Sequence, residues 1–179
     1  MSHIILVAGP ARSGKSEWAE TLAARSDRSV TYIATSRIDP TDAEWLARIE
    51  RHRQRRLPDW TTLEVPMALA EAIDRASESD CLLVDSLGTW VANWIDRDEA
   101  IWNQAQETLL ASLADGKADA ILVAEEIGWG VIPAYPMGRT FRDRLGTLVR
   151  RIGAMADSVY LVVAGHVLEL SALGMRLPD

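Results

Sequence analysis

The chain has a single cysteine, no apolar run of bilayer length and no surplus of positive charge. Since Cys81 is the only thiol, no internal disulfide can form, and its place within an apolar run favours a small core residue. A reducing compartment, the cytoplasm, is the expected location. A membrane-spanning helix needs roughly 20 apolar residues in succession, so no membrane span is predicted. The net charge of −7 disfavours nucleic acid as a partner, and a small molecule is the expected ligand.

Linkers are also absent, because no Pro-, Gly- or Ser-rich stretch and no low-complexity tract divides the 179 residues. One domain covering 1–179 is expected. Short apolar runs typical of strands buried on both faces alternate with segments of helical spacing. This alternation predicts an α/β fold with a mostly parallel sheet and helices on both faces. We predict strands at 4–8, 30–34, 81–85, 118–124 and 159–163, an extended segment at 60–65, helices at 16–24, 41–56, 67–76, 87–94, 101–113 and 140–155, and no assignable pattern from 165 onward.

The segment after the first predicted strand matches the phosphate-binding pattern G-x-x-x-x-G-K-[ST] in full. Backbone N–H groups of such a loop point at phosphate oxygens, and the following helix adds a favourable field. Lys15 is expected to act as a catalytic cation on the β- and γ-phosphates, and the Ser16 hydroxyl to bind Mg²⁺. A glycine turn without a ligand is the alternative. The nucleotide-binding residues predicted here are Gly9, Pro10, Ala11, Arg12, Ser13, Gly14, Lys15 and Ser16.

Carboxylates end two of the predicted strands. Asp85 closes the strand 81–85 and fits the acid that orients the magnesium shell of P-loop enzymes, with an ordinary strand end or helix cap as the alternative. Glu125 or Glu126 follows another strand and is a candidate base for phosphoryl transfer, with a plain strand-end carboxylate as the alternative. Ligands of parallel α/β sheets lie at the carboxyl ends of the strands.

The predicted helix 41–56 becomes strongly cationic toward its end. Helical spacing places Trp45, Ile49, His52 and Arg56 on one stripe, which is apolar at first and then basic. Positive charge on the surrounding arginines disfavours a second charge on the imidazole, so His52 is expected to be neutral and nucleophilic. The alternatives are a hydrogen-bonded interior histidine, solvated last-turn arginines and a nucleic-acid patch.

Further motifs extend over nearly the whole chain. They are Tyr32-Ile33-Ala34-Thr35-Ser36, then Arg48-Ile49-x-x-His52-Arg53 with Trp60 and Glu64, Glu126-x-Gly128-x-Gly130-x-x-Pro133, Arg139-x-Phe141-Arg142-Asp143, and Val159-Tyr160-Leu161-Val162-Val163-Ala164-Gly165. With the phosphate loop, this joint pattern resembles the family of bifunctional adenosylcobinamide kinases and adenosylcobinamide-phosphate guanylyltransferases. The chain departs from the family at Arg51, where a second histidine is frequent, at Pro58, which lies one place late, and at Val149, where an asparagine is usual.

The resemblance implies a RecA-like P-loop fold, a homotrimer and two reactions that use Mg²⁺. One phosphorylates the aminopropanol hydroxyl of the corrinoid adenosylcobinamide with ATP or GTP. The other moves GMP from GTP onto that phosphate through a guanylylated histidine, which by position is His52. The resemblance also implies nucleotide contacts from Ala34, Thr35, Ser36, Arg53, Gln54, Arg55, Arg56, Glu64 and Asp85, with Ser16 and Asp85 at the metal.

Two other functions fit the same residues. A P-loop kinase of a small alcohol would retain its activity without a nucleophilic histidine, so His52 would only bind nucleotide. A nucleotide-gated binding module would bind triphosphate without turnover and present the arginine helix to an anionic partner.

Overall fold

The computed structural model describes residues 2–37 and 41–177, and within the helix 43–55 the side chains of Glu44, Trp45, Arg48, Arg51, His52 and Arg55 lie outside that description. The described chain contains seven strands in one sheet and seven helices. The strands are β1 Ile4–Gly9, β2 Ser29–Ala34, β3 Thr61–Glu64, β4 Asp80–Asp85, β5 Asp119–Glu125, β6 Ser158–Val163 and β7 His166–Glu169. The helices are α1 Lys15–Ala24, α2 Ala43–Arg55, α3 Leu69–Asp74, α4 Leu87–Ala92, α5 Glu99–Asp115, α6 Pro136–Met155 and α7 Leu170–Leu173.

The strand order brings the ends of distant segments together. The order is β3-β2-β4-β5-β1-β6-β7, and every neighbouring pair is parallel except β6 and β7. β5 lies between β1 and β4, so the loop after β1, the end of β5 at Glu125 and the end of β4 at Asp85 are adjacent at one edge. This is the edge at which parallel α/β sheets bind ligands.

Alternate residues of the central strands face two separate cores, which explains why these strands have continuous apolar runs. On one face Leu6, Leu82 and Leu122 pack with α3, α4, α5 and α6. On the other face Val7, Leu83 and Val123 pack with α1. The predicted mostly parallel sheet with helices on both faces is confirmed. Among the described helices, none combines the length and the apolar character that crossing a membrane requires.

Several elements differ in extent from the sequence-based prediction, among them α6, α3 and the tail. α6 begins at Pro136 instead of 140, because proline is well suited to the first turn of a helix. α3 covers only Leu69–Asp74. The unassigned tail forms β7, which pairs with β6 across a tight turn in which Ala164 and Gly165 both have positive φ, 50° and 74°. Two such residues in succession are typical of a type I′ hairpin turn, for which Ala-Gly is a weak sequence signal.

Candidate active site

The loop between β1 and α1 has the curled backbone that a phosphate-binding loop requires. Arg12 and Gly14 have positive φ values of 59° and 92°. Gly9 lies so close to β6 that a Cβ there would be 2.4 Å from the Val162 carbonyl oxygen. The Lys15 side chain is buried, and its Nζ donates to the Pro10 carbonyl at 3.3 Å. The ammonium group is therefore held over the loop.

A cleft opens beside this loop at the carboxyl ends of the parallel strands. It brings together seven candidate site residues predicted from the sequence, namely Lys15, Ser16, Ala34, Ser36, Arg56, Asp85 and Glu125. Its other lining residues are Tyr32, Ile49, Ser86 and Thr89. The cleft thus contains a cation, a hydroxyl and two strand-end carboxylates, which is a suitable set for a nucleoside triphosphate with its metal.

Tyr32 and Arg56 form one wall of the cleft. The Tyr32 hydroxyl donates to Asp85 Oδ2 at 2.9 Å. Burial, together with the negative charge of Asp85, raises the pKa of Tyr32 above its ordinary value, so the phenol stays protonated as a donor. The Arg56 guanidinium lies 3.5 Å from the centre of the Tyr32 ring, and its Nη1 donates to Thr62 at 3.1 Å. The ring therefore orients both a carboxylate and a cation at the site.

Thr35 has a structural position. Its side chain is fully buried, accepts from the Ser86 N–H at 3.0 Å and donates to the Ser86 carbonyl at 2.7 Å. Asn93 holds the same region, since its Nδ2 donates to the carbonyls of Thr35 and Pro66 at 2.7 and 2.8 Å. Thr35 thereby fixes the ends of β2 and β4 without lining the cleft.

Glu125 is held by the first turn of α4. Ser86 Oγ donates to Glu125 Oε1 at 2.6 Å, and the Gly88 N–H donates to Oε2 at 3.0 Å. Ser86 is also the N-cap of α4, in a capping box with Thr89. The close approach of the carboxylate requires glycine at position 88, because a Cβ there would lie 2.1 Å from Oε2. The pattern Ser86-x-x-Thr89 directly after Asp85 is a sequence signal for the cap of α4, but not for its contact with Glu125.

Several predicted site residues lie elsewhere. Arg53 and Gln54 are exposed on α2, and Gln54 Nε2 donates to Glu50 at 3.1 Å. Glu64 is exposed at the end of β3. The predictions for His52 and Arg55 concern side chains outside the described residues, as do those for Arg48 and Arg51. Ile49 of α2 and Arg56, the residue directly after this helix, lie on either side of position 52 in the sequence, and both line the cleft.

The residues of the cleft fit a magnesium ion that arrives with a triphosphate. Mg²⁺ in such sites is bound through one or two protein oxygens together with substrate phosphates. The Ser16 hydroxyl and the Asp85 carboxylate both line the cleft that contains Lys15. These two groups would supply the protein's share of the ligands.

Comparison with known proteins agrees with this architecture. The family model described as cobinamide kinase / cobinamide phosphate guanyltransferase matches residues 5–170. The chain is 41% identical over 167 residues to the bifunctional adenosylcobalamin biosynthesis protein CobP of Pseudomonas aeruginosa, covering 92% of this chain and 95% of that one. It is 38% identical over 177 residues to the bifunctional adenosylcobalamin biosynthesis protein CobU of Escherichia coli, covering 90% and 96%.

Solved structures extend the likeness to the fold. A protein of Pyrococcus horikoshii OT3 superposes with a TM-score of 0.56 at 6% identity, covering 99% of this chain and 92% of that one. At such low identity only the α/β fold is comparable. Family membership depends instead on the match of the family model over residues 5–170 and on relatives near 40% identity. The chain therefore belongs to the cobinamide kinase / cobinamide phosphate guanyltransferase family.

Proposed function

We propose that the protein phosphorylates adenosylcobinamide with ATP or GTP and then transfers GMP from GTP to the new phosphate, giving adenosylcobinamide-GDP. The observation that carries this proposal is the cleft in which Lys15, Ser16 and Asp85 meet at the carboxyl ends of β1 and β4. Asp85 lies far from Lys15 and Ser16 in the sequence, and a single triphosphate with its metal requires all three groups close together. Membership of the family, shown by the match over residues 5–170, supports the choice of substrate.

The kinase step depends on charge placed before the substrate arrives. The buried Lys15 ammonium and the Arg56 guanidinium would stabilise negative charge on the transferring phosphoryl group. Ser16 and Asp85 would hold Mg²⁺, which neutralises phosphate charge when bound. The acceptor hydroxyl then bonds to the γ-phosphorus while the bond from that phosphorus to the nucleoside diphosphate breaks.

The transferase step uses His52 as the nucleophile. A ring nitrogen attacks the α-phosphorus of GTP, a P–N bond forms, and the bond to pyrophosphate breaks. A phosphate oxygen of the phosphorylated corrinoid then attacks the same phosphorus, and the P–N bond breaks to restore the imidazole. The placement of Ile49 and Arg56 in the cleft supports this role, because both lie on the stripe that helical spacing assigns to His52.

We also propose that the protein works in the cytoplasm as a homotrimer. The chain leaves large apolar side chains exposed in the segment after β7, among them Leu173 at 72%, Met175 at 97% and Leu177 at 75%. Exposed apolar patches of this kind favour contact with another protein surface. Light scattering during gel filtration should give three times the chain mass of 19.8 kDa, and a monomer mass would contradict the assembly.

A product assay with a matched lysine variant tests the kinase half. Wild type, Lys15→Ala and Lys117→Ala are incubated with adenosylcobinamide and ATP, and the corrinoid products are separated and weighed. Lys117 is the exposed control. Lys15→Ala should lose about 100-fold or more in kcat, because a charge that stabilises the transition state is removed. Equal activity of the three proteins would contradict the role given to the phosphate loop.

The same assay separates the alternatives. After addition of GTP, a bifunctional enzyme converts the corrinoid phosphate to the GDP derivative, whereas an enzyme that is only a kinase stops at the phosphate. A nucleotide-gated module would bind the triphosphate and produce neither compound.

A further inference from the structure

A second, open depression lies beside the nucleotide cleft, between the loop after β5 and the middle of α6. Its floor and rim include Glu125, Glu126, Gly128, Arg142, Gly146 and Arg150. Glu125 lines both the depression and the cleft. A molecule held in the depression would therefore meet the phosphates of a nucleotide at Glu125.

Gly146 lines the depression and adds no side chain to its surface. This residue lies within the twenty-residue helix α6, where glycine costs about 1 kcal/mol relative to alanine. A Cβ at position 146 would meet no atom within 4 Å, so packing does not require glycine there. Gly153 in the same helix differs, because its Cβ would touch Leu6 at 3.5 Å. Glycine at position 146 therefore lowers the stability of the helix and leaves the surface of the depression free of a side chain at that point.

The groups around this floor are polar and partly fixed. Arg142 and Arg150 lie one helical turn before and one after Gly146 on the same face of α6. Arg142 also donates to the Gly128 carbonyl at 3.0 Å, which ties the loop to the helix. Glu126 is turned back into its own loop and accepts from the Gly128 N–H at 2.6 Å. Guanidinium donors in this placement suit carboxamide and phosphate oxygens.

Glu125 has acceptor capacity beyond its present bonds. Ser86 and the Gly88 N–H fix the two oxygens of the carboxylate, and a carboxylate has about four lone-pair sites. A hydroxyl that enters from the depression can therefore donate to a carboxylate whose position is already set. Such fixed geometry is a large part of what phosphoryl transfer requires from a protein.

We propose that this depression binds the acceptor, a carboxamide-bearing corrinoid, and that Glu125 receives the hydrogen bond of its reacting hydroxyl. The inference rests on the proposed function, since it assigns the acceptor to a place. During the kinase step the hydroxyl oxygen bonds to the γ-phosphorus, the bond to the bridging oxygen of the nucleoside diphosphate breaks, and the hydroxyl proton passes to Glu125. Arg142 and Arg150 contact the acceptor and hold it at that junction.

Two pairs of variants test the site. Gly146→Phe fills the floor, and Ala154→Phe adds the same bulk at an exposed position of α6 outside the depression. Arg150→Ala removes a cation from the rim. Its control, Arg151→Ala, removes the neighbouring cation, which does not line the depression and pairs with Glu107 at 2.5 Å. Each protein is assayed for KM toward adenosylcobinamide, for nucleotide affinity and for corrinoid binding by equilibrium dialysis read from corrin absorbance.

The expected result is a KM for adenosylcobinamide raised about 10-fold or more in Gly146→Phe and Arg150→Ala, with nucleotide affinity changed less than about twofold. The two control variants should match wild type. Corrinoid binding should weaken in parallel. Arg150→Ala changes an exposed side chain, so it decides the matter even if Gly146→Phe does not fold.

The activity of wild type separates a wrong acceptor site from a wrong function. If wild type phosphorylates the corrinoid and both depression variants keep its KM, the acceptor site is elsewhere and the proposed function stands. If wild type neither binds nor phosphorylates the corrinoid, both proposals fall. A lower assembly mass in Gly146→Phe and Arg150→Ala, with unchanged corrinoid binding per chain, would assign the surface to a contact between copies and overturn the inference.

Discussion

Replacing Gly88 by alanine should destabilise the protein, although alanine normally favours a helix. A Cβ at position 88 would lie 2.1 Å from Glu125 Oε2 and 2.8 Å from its carboxyl carbon, whereas ordinary contact begins at 3.4 Å. The carboxylate must therefore withdraw by more than about 1 Å. That movement breaks the bond from the Gly88 N–H at 3.0 Å and strains the bond from Ser86 Oγ at 2.6 Å.

The magnitude follows from these two bonds. Hydrogen bonds to a charged group are worth roughly 1.5–3 kcal/mol each, and alanine regains up to about 1 kcal/mol of helix propensity. A net loss of about 2–4 kcal/mol in the free energy of unfolding is expected. Urea denaturation followed by tryptophan fluorescence measures it. Gly153→Ala is the matched control and should be neutral or stabilise by up to about 1 kcal/mol, because its Cβ would make an ordinary contact at 3.5 Å.

A second background isolates the cause. In Glu125→Ala the carboxylate is gone, so adding Gly88→Ala should cost less than about 1 kcal/mol or stabilise the protein. The coupling between the two substitutions should then be about 2 kcal/mol. An equal cost of Gly88→Ala with and without Glu125 would show that the close approach of the carboxylate does not determine the effect.

Three further substitutions have defined outcomes. Burial raises the pKa of the Cys81 thiol to about 11, so wild type should lose stability as pH rises from about 9 to about 11, where the unfolded thiol ionises and the folded one does not. Cys81→Ala should lose less over that window, and identical pH profiles from denaturation at each pH would contradict this. Arg144→Met should lower the free energy of unfolding, measured by urea denaturation, by about 3 kcal/mol, because the buried guanidinium donates to the carbonyls of Trp94 and Arg97 at 2.9 Å each. A loss below about 1 kcal/mol would show that these bonds contribute little. Gly9→Ala should weaken nucleotide binding and lower the free energy of unfolding by about 1–3 kcal/mol, because its Cβ would lie 2.4 Å from the Val162 carbonyl oxygen. Unchanged nucleotide affinity by calorimetry would contradict the tight contact of β1 and β6.

Most of the fold was predictable because the central strands are buried on both faces. Runs such as 81–85 and 118–124 are apolar at nearly every position, and the only common structure that buries such runs is a parallel sheet covered by helices. The hairpin to β7 was not predictable. Its turn depends on positive φ at Ala164, which alanine rarely adopts, and its strand is largely exposed at the sheet edge.

The site residues that belong to a local sequence motif were predictable. The phosphate loop and Asp85 could be found because each follows an apolar strand directly. The bonds of Glu125 to Ser86 and Gly88 could not, because they depend on β5 lying beside β4, and strand order is not encoded in any local pattern. Thr35 shows the reverse case: a motif residue that the resemblance placed at the nucleotide is fully buried and braces the strand ends.

The covalent transfer of GMP through His52 can be observed by intact-mass analysis of the protein. Wild type and His52→Ala are incubated with GTP and Mg²⁺, and each protein is weighed without prior acid treatment. We expect a mass increase of one GMP on wild type alone, removed by acid as is typical of a phosphoramidate. No increase on wild type, or the same increase on His52→Ala, would contradict the transfer of GMP through this histidine.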